Sequence, residues 1–134
     1  MTCWGQDELS RIAAEDELQL ATARSDGTLR RPVILWSVRH SDELYVRAVR
    51  GRDSAWFRGA RDRHQGRLCS GGLQRDVILV ETDGSLDEVL DAEYRRKYRR
   101  YPASYVDAVV TPAARAATLL IAPRVPTAPT SVFG

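Results

Sequence analysis

The run Arg47-Ala48-Val49-Arg50-Gly51-Arg52-Asp53-Ser54-Ala55-Trp56 sets two arginines around a glycine, between a strand-like pattern and a helix-like one. At such a junction guanidinium groups, free backbone N–H groups and the positive end of a helix converge, and together they suit a phosphate. A solvated turn is the plain alternative for a loop of this composition. Residues 24–75 hold twelve arginines against five acids (Asp26, Asp42, Glu43, Asp53, Asp62), although the whole chain carries a net charge of only +2. The compensating acids lie in residues 1–23, with five acids and one arginine, and in residues 76–93, with seven acids and no base. A positive segment between acidic ones can focus a phosphorylated cofactor, or attract nucleic acid or a partner's acidic face. Solvated faces in an arginine-rich proteome give the same count, and nineteen arginines to a single lysine, Lys97, point partly that way.

Tyr101-Pro102-Ala103-Ser104-Tyr105 is the second candidate. Both phenols follow a helix pattern at a proline-bearing break, where a ring can fold over a barrel mouth, stack on a planar substrate or give up a proton. The alternative is ordinary core packing against Leu86, Val89 and Leu90. The remaining chemistry is sparse. His40 falls in a turn and His64 at a helix end, where the dipole favours it. Neither has a cysteine, serine or carboxylate at a motif spacing, so nucleophilic and metal catalysis lack support and no metal ligands are assigned. Asp87, Glu88, Asp91 and Glu93 read as the wet side of a helix, with a lesser reading as acid–base groups. Trp36, Trp56, Tyr94 and Tyr98 read as core or dimer-interface residues. Cys3 and Cys69 lie far apart in no ligand spacing and read as free thiols of a reducing compartment, in preference to a disulfide.

The elements that must hold these groups follow from periodicity and turn chemistry. Asp7 is placed to cap a short helix with Leu9, Ile12 and Ala13 on one face. Leu18, Leu20 and Thr22 alternate as a half-buried strand, and Ser25-Asp26-Gly27-Thr28 predicts a two-residue hairpin turn. The return strand carries Val33, Ile34, Leu35, Trp36 and Val38, with Pro32 at a bulge or edge. A turn at residues 40–43 leads into the strand Leu44-Tyr45-Val46-Arg47-Ala48-Val49. After the basic loop, Asp53 or Ser54 opens a helix to about Arg63, ended by Gly66. A hairpin turns at Gly71-Gly72, with Val77 to Val80 in its second arm. Asp83-Gly84-Ser85 opens an amphipathic helix with Leu86, Val89, Leu90, Tyr94 and Tyr98. Thr111-Pro112 is a cap with a first-turn proline, and Thr118 begins a last strand.

At 134 residues the chain is long enough for one domain, expected over residues 1–124, followed by a proline-bearing and flexible tail at 125–134. No apolar run reaches the ~20 residues of a membrane span, and no secretory signal pattern opens the chain, so a cytoplasmic protein is expected. Strands in hairpin order with two or three flanking helices predict a mainly β, α+β fold: an antiparallel six-stranded split β-barrel.

This order of elements resembles the flavin-binding split barrels of the pyridoxamine 5′-phosphate oxidase superfamily, over about residues 18–124. It looks closest to the deazaflavin-dependent nitroreductase-like branch and to a related family of unknown function. The resemblance implies that Arg31, Pro32 and Val33 border the cofactor before the second strand. It also implies that Val49, Arg50, Gly51, Arg52 and Ser54 take the phosphate, and that Trp56 opens the helix beside it. Tyr101 and Tyr105 match aromatics that line the substrate pocket. The chain departs from the pattern in three places: Val49 stands where a serine is usual, the loop is about three residues shorter, and Ala108 replaces a pocket aromatic.

A flavin-type ring needs few catalytic groups from the protein, so the sparse chemistry agrees with a redox reading. The expected function is therefore a flavin- or deazaflavin-dependent, nitroreductase-like oxidoreductase. It would use FMN or coenzyme F-420, pass hydride to a small organic substrate, and work as a homodimer with its site at the two-fold interface. The alternative is a split barrel without a redox cofactor, acting as a non-redox enzyme or small-molecule binding module. Nucleic acid is disfavoured, because aromatics are not interleaved with the basic stretch.

Overall fold

Alternation builds the barrel. Along β1 (Glu17–Thr22) Leu18 and Leu20 turn inward while Glu17 and Gln19 face out. The same two-residue period puts Leu44 and Val46 of β3 (Glu43–Arg47), Leu68 of β4 (Gln65–Ser70), Val77 and Leu79 of β5 (Leu73–Glu81), and Leu119 and Ile121 of β6 (Thr118–Pro123) into one buried cluster. Val33 and Leu35 of β2 (Val33–His40) line its edge. Each fully buried aliphatic side chain contributes about 1.5–3 kcal/mol. In this computed structural model, which describes residues 4–124, the strands close in the order β1-β2-β3-β6-β5-β4, every pair antiparallel, with β4 returning onto β1. Cys3 and the tail at 125–134 lie outside the described residues.

Two helices seal opposite ends of the barrel. One is α1 (Gln6–Ala14), which enters at the start of β1 and buries Leu9 and Ile12, while the Trp4 indole N–H donates to the Ile121 carbonyl at 2.9 Å. The other is α2 (Ala55–Arg63), which joins the end of β3 to the start of β4 and buries Phe57 and Ala60. Outside the barrel, α3 (Asp87–Lys97) and α4 (Ala103–Ala108) cover β2 and β3. Val38, Tyr45, Leu90, Tyr94, Tyr98, Val106 and Val109 form a second core there, in which Trp36 stacks on Tyr98 at 4.0 Å and 2°. A last helix, α5 (Pro112–Ala116), leads into β6, and the Thr111 hydroxyl accepts from the Ala114 N–H at 3.1 Å ahead of the first-turn proline.

The expected barrel is present, with five short helices around it where the sequence predicted two or three. Several local expectations need correction. Gly5, not Asp7, occupies the N-cap of α1, and Asp7 lies in the first turn. The first hairpin turn holds three residues: Arg24 and Thr28 pair across Ser25, Asp26 and Gly27, only Gly27 takes a positive φ (90°), and Asp26 accepts from the Thr28 N–H and hydroxyl. A three-residue turn needs the left-handed conformation only at its last position, which Gly27 supplies, while Asp26 fastens Thr28 from within the turn. His64 (φ 59°) ends α2 in the left-handed conformation. Gly66 instead lies within β4, where a Cβ would stand 2.7 Å from the Ala21 carbonyl oxygen, so it is close strand packing that requires the glycine.

Candidate functional site

Where β2 leaves its turn and β3 ends, the outer barrel face is left bare between α4 and the loop after Arg47. Ile34 and Trp36 point outward from β2, Arg47 and Val49 come from the end of β3, and Tyr105 and Val109 descend from α4, enclosing a cavity of about 310 Å³. That volume is at the small end of ligand sites and suits a flat ring system with its substituents outside. Ile34 is 62% exposed, Val49 50% and Tyr105 59%, so three large apolar groups meet water around one opening.

Arg47 forms the floor, and its position explains much of the local order. The side chain is buried beneath the cavity, where Nε donates to Thr118 Oγ1 (3.0 Å), Nη1 to Asp91 Oδ1 (2.5 Å) and the Val109 carbonyl (2.9 Å), and Nη2 to the Asp87 carbonyl (3.1 Å). Its guanidinium also stands 5.5 Å from the centre of the Tyr94 ring. Asp91 turns its second oxygen to Arg115, which donates from Nε at 3.0 Å and from Nη2. Burial pushes the Asp91 carboxyl up, but the hydrogen bonds from Arg115 and Arg47 outweigh it and hold the group below the usual carboxylate range. Asp91 is therefore buried and ion-paired, which corrects its reading as part of the wet side of α3. Trp36, Tyr94 and Tyr98 belong to the second core, and burial pushes the Tyr94 and Tyr98 phenols up, out of reach of ordinary titration.

The basic loop lies beside the same opening, and its two arginines differ. Gly51 begins a single 3-10 turn with φ 81° and sits under α5, where a Cβ would meet Ala113 Cβ at 3.3 Å. Arg52 donates to Glu81 (2.6 Å) and the Ala116 carbonyl (2.9 Å), with its guanidinium over Phe57. Arg50 is exposed and has no hydrogen bond or ion pair among the described residues. Ser54 stands at the N-cap of α2 without a side-chain cap, which leaves the first N–H groups of that helix without an intrahelical partner. Trp56 is half-buried, edge-on to Phe57, and packs on the barrel core away from the cavity. Arg31 and Pro32 are exposed immediately before β2, and Val33, its first residue, packs on the barrel interior.

The two tyrosines part company. Tyr105 stands exposed at the rim, whereas Tyr101 is half-buried, tilted against Trp36 (4.9 Å between centres), and donates its hydroxyl to Asp16 Oδ2 at 2.7 Å. Hydrogen bonding to Arg100 and then Tyr101 lowers the Asp16 carboxyl, and the bond to Asp16 raises the Tyr101 phenol. Ala108 also lines the cavity, at the position where the sequence lacks an aromatic. His40 and His64 lie elsewhere. Arg47 and Asp91 were missed as site residues, although the signal was available: Asp87, Asp91, Tyr94 and Tyr98 share one face of α3, so the apolar stripe continues through the two acids.

Comparisons with known proteins agree with the barrel. A structure of an F420-H2 dependent reductase, FDR-A, superposes with a TM-score of 0.58 at 18% identity over 81% of this chain and 94% of that one. The heme storage protein HutZ of Vibrio cholerae gives 0.60 at 13% identity over 90% and 91%. The conserved hypothetical protein Rv2991 of Mycobacterium tuberculosis gives 0.54 at 16% identity over 99% and 94%. The fold is thus the split barrel that the sequence resemblance implied. Among curated proteins no sequence match is found. A family described as an uncharacterized protein conserved in bacteria, DUF2255, matches residues 8–121, and the chain belongs to that family.

Proposed function

We propose that the protein binds a phosphorylated flavin or deazaflavin, FMN or coenzyme F-420, and serves as an oxidoreductase for a small organic substrate. The observation that carries this reading is the apolar cavity of Trp36, Val49 and Tyr105, whose rim residue Val49 runs directly into the unpaired Arg50. A planar ring would be held by Ile34, Trp36 and Val49, and Arg50 with the N–H groups at the start of α2 would hold its phosphate. When bound, such a ring accepts or donates a hydride. The protein supplies position and field. Ile34, Trp36 and Val49 would keep water from such a ring, and Arg47 fixes the floor with a positive charge tempered by Asp91. Tyr105 offers an exposed phenol with no partner among the described residues, free to donate a proton at the rim. Tyr101 is a positioning residue, since its proton is directed to Asp16. Arg52 holds the loop against Glu81 and acts on the phosphate through that anchoring.

A heme reading, suggested by the Vibrio protein, would find no histidine in the cavity, since His40 and His64 both lie elsewhere, and would have to use the Tyr105 phenol as its axial ligand. The exposed rim of Ile34, Val49 and Tyr105 supports a homodimer in which a second copy closes the opening. Light scattering at micromolar concentration then gives twice the chain mass, and a monomeric mass refutes the dimer. Among the described residues no helix is long and apolar enough to cross a membrane. A cytoplasmic setting, in which Cys69 stays a thiol, accords with that.

The test is the absorbance of protein purified from a host that makes both cofactors. A bound chromophore of flavin or deazaflavin type supports the reading. Protein that is colourless, and remains so after incubation with either cofactor, overturns it in favour of a non-redox binding module.

A further inference from the structure

A second, larger groove of about 870 Å³ runs along the opposite flank of α3, between α1, the end of β2 and the last turn of α3. It is lined by Arg39, Arg96, Lys97, Arg99 and Arg100 against one acid, Glu93. Three of the arginines are already paired: Arg39 with Asp42 (3.7 Å), Arg96 with Glu93 and Arg100 with Asp16. Among the described residues Arg99 has no partner and Lys97 has no ion pair, its Nζ donating to the Ser37 carbonyl instead. Arg99 is therefore the guanidinium of the groove left without a counter-ion among the described residues, placed to attract an anion beside the Lys97 amine.

Lys97 is the only lysine in the chain. Its stem is half-buried, its Nζ donates to the Ser37 carbonyl at 2.8 Å, and the amine lies 5.1 Å from the centre of the Tyr98 ring. Packing strips water from this amine and so favours its neutral, nucleophilic form, while the Tyr98 face and the Ser37 carbonyl hold the side chain in place as the ammonium. Burial pushes the amine down to about 8, with Arg100 acting in the same sense and Asp16 and Glu15 opposing. The charges facing it are those of Asp16 and Glu15 before β1, Arg39 on β2, and Glu93, Arg96, Arg99 and Arg100 on and after α3.

We propose that this groove captures small phosphorylated aldehydes as an imine on Lys97, with Arg99 and its neighbours holding the phosphate. The neutral amine adds to the carbonyl carbon, two protons pass to the carbonyl oxygen, and water leaves as the C=N bond forms, so no oxidant or reductant is consumed. The groove is separate from the cavity under Tyr105, and its occupancy does not depend on a redox cofactor.

Pyridoxal 5′-phosphate serves as the probe, and 5-deoxypyridoxal, which lacks the phosphate and has no 5′-hydroxyl to close onto its aldehyde, as the counterpart. The protein is incubated with each, the imine is reduced with borohydride, and the adduct is located by peptide mapping. The expected result is one adduct per chain, on Lys97, formed far more readily from the phosphorylated aldehyde and at a rate that rises with pH around 8. Lys97→Arg removes the adduct. Arg99→Ala, at an exposed position that leaves folding intact, lowers labelling by the phosphorylated probe roughly tenfold and leaves that by 5-deoxypyridoxal unchanged. Equal labelling by the two aldehydes, labelling confined to the N-terminal amine, or indifference to Arg99→Ala would each overturn the proposal.

Discussion

Asp91→Asn probes the ion-paired floor of the cavity most sharply. The carboxylate sits between the buried Arg47 and the partly exposed Arg115, accepting from the first at 2.5 Å and from the second at 3.0 Å. Removing its charge leaves Arg47 buried with only neutral acceptors and a distant Asp87 oxygen at 3.7 Å. Breaking one partner of a buried pair costs about 3–5 kcal/mol, while the exposed Arg115 half contributes at most about 1 kcal/mol. The amide can still accept one bond from Arg47, so the loss should fall near 3 kcal/mol. For a domain of this length that corresponds to a Tm lower by roughly 10 °C. Calorimetry and chemical denaturation measure it, with Glu93→Gln, an exposed pair with Arg96, as the control that shifts Tm little. Acid titration adds a second readout. Because the folded carboxyl titrates below its unfolded value near 3.8, its ionisation adds stability above that pH, and the contribution vanishes as pH falls through the folded value. The variant should therefore lose less stability than the wild type on acidification. A Tm within 2 °C of wild type, or parallel acid limbs, refutes the reasoning.

The two loop arginines should separate by their effect on folding. Arg52→Ala loses the contacts to Glu81, the Ala116 carbonyl and the Phe57 ring and should lower stability by about 1 kcal/mol in denaturant melts, whereas Arg50→Ala should leave it unchanged. Gly51→Ala forces a side chain into φ 81° against Ala113 and should cost about 1–2 kcal/mol; an unaltered Tm means that α5 does not hold the loop. Tyr101→Phe removes the bond to Asp16 and should lower stability by about 1 kcal/mol with little effect on turnover, while Tyr105→Phe should lower turnover with Tm unchanged. The opposite pattern would exchange the roles given to the two phenols.

The barrel was legible because its strands alternate so plainly: Leu18 and Leu20, Leu44 and Val46, and Val77 and Leu79 each mark one inward face, and turn residues separate the runs. The sequence marks the loop at Arg50 as a candidate anion site, but the division of labour between its two arginines was not legible. Arg52 pairs with Glu81, 29 residues away, and no local pattern announces a partner supplied by the closing of β5 onto β6. Asp91 was misplaced for the same reason. Helical spacing puts it on the apolar stripe of α3, yet only the arrival of Arg47 from β3 and Arg115 from α5 makes burial of a carboxylate tolerable. Gly66 was read as punctuation because a sequence shows no approach between strands, and the contact that demands it is the Ala21 carbonyl on β1.

Titration of the tryptophan fluorescence with FMN and with riboflavin tests the central claim most directly, since Trp36 lines the cavity and the two ligands differ only in the phosphate. The account predicts saturable quenching by both, tighter for FMN by about 1.5–3 kcal/mol through the charge-assisted contact at Arg50. Arg50→Ala should erase that preference, and Val49→Glu, which sets a charge at the cavity mouth, should weaken both ligands. Equal affinity for FMN and riboflavin in the wild type, or binding indifferent to Val49→Glu, would contradict the assignment of this cavity and loop as one site.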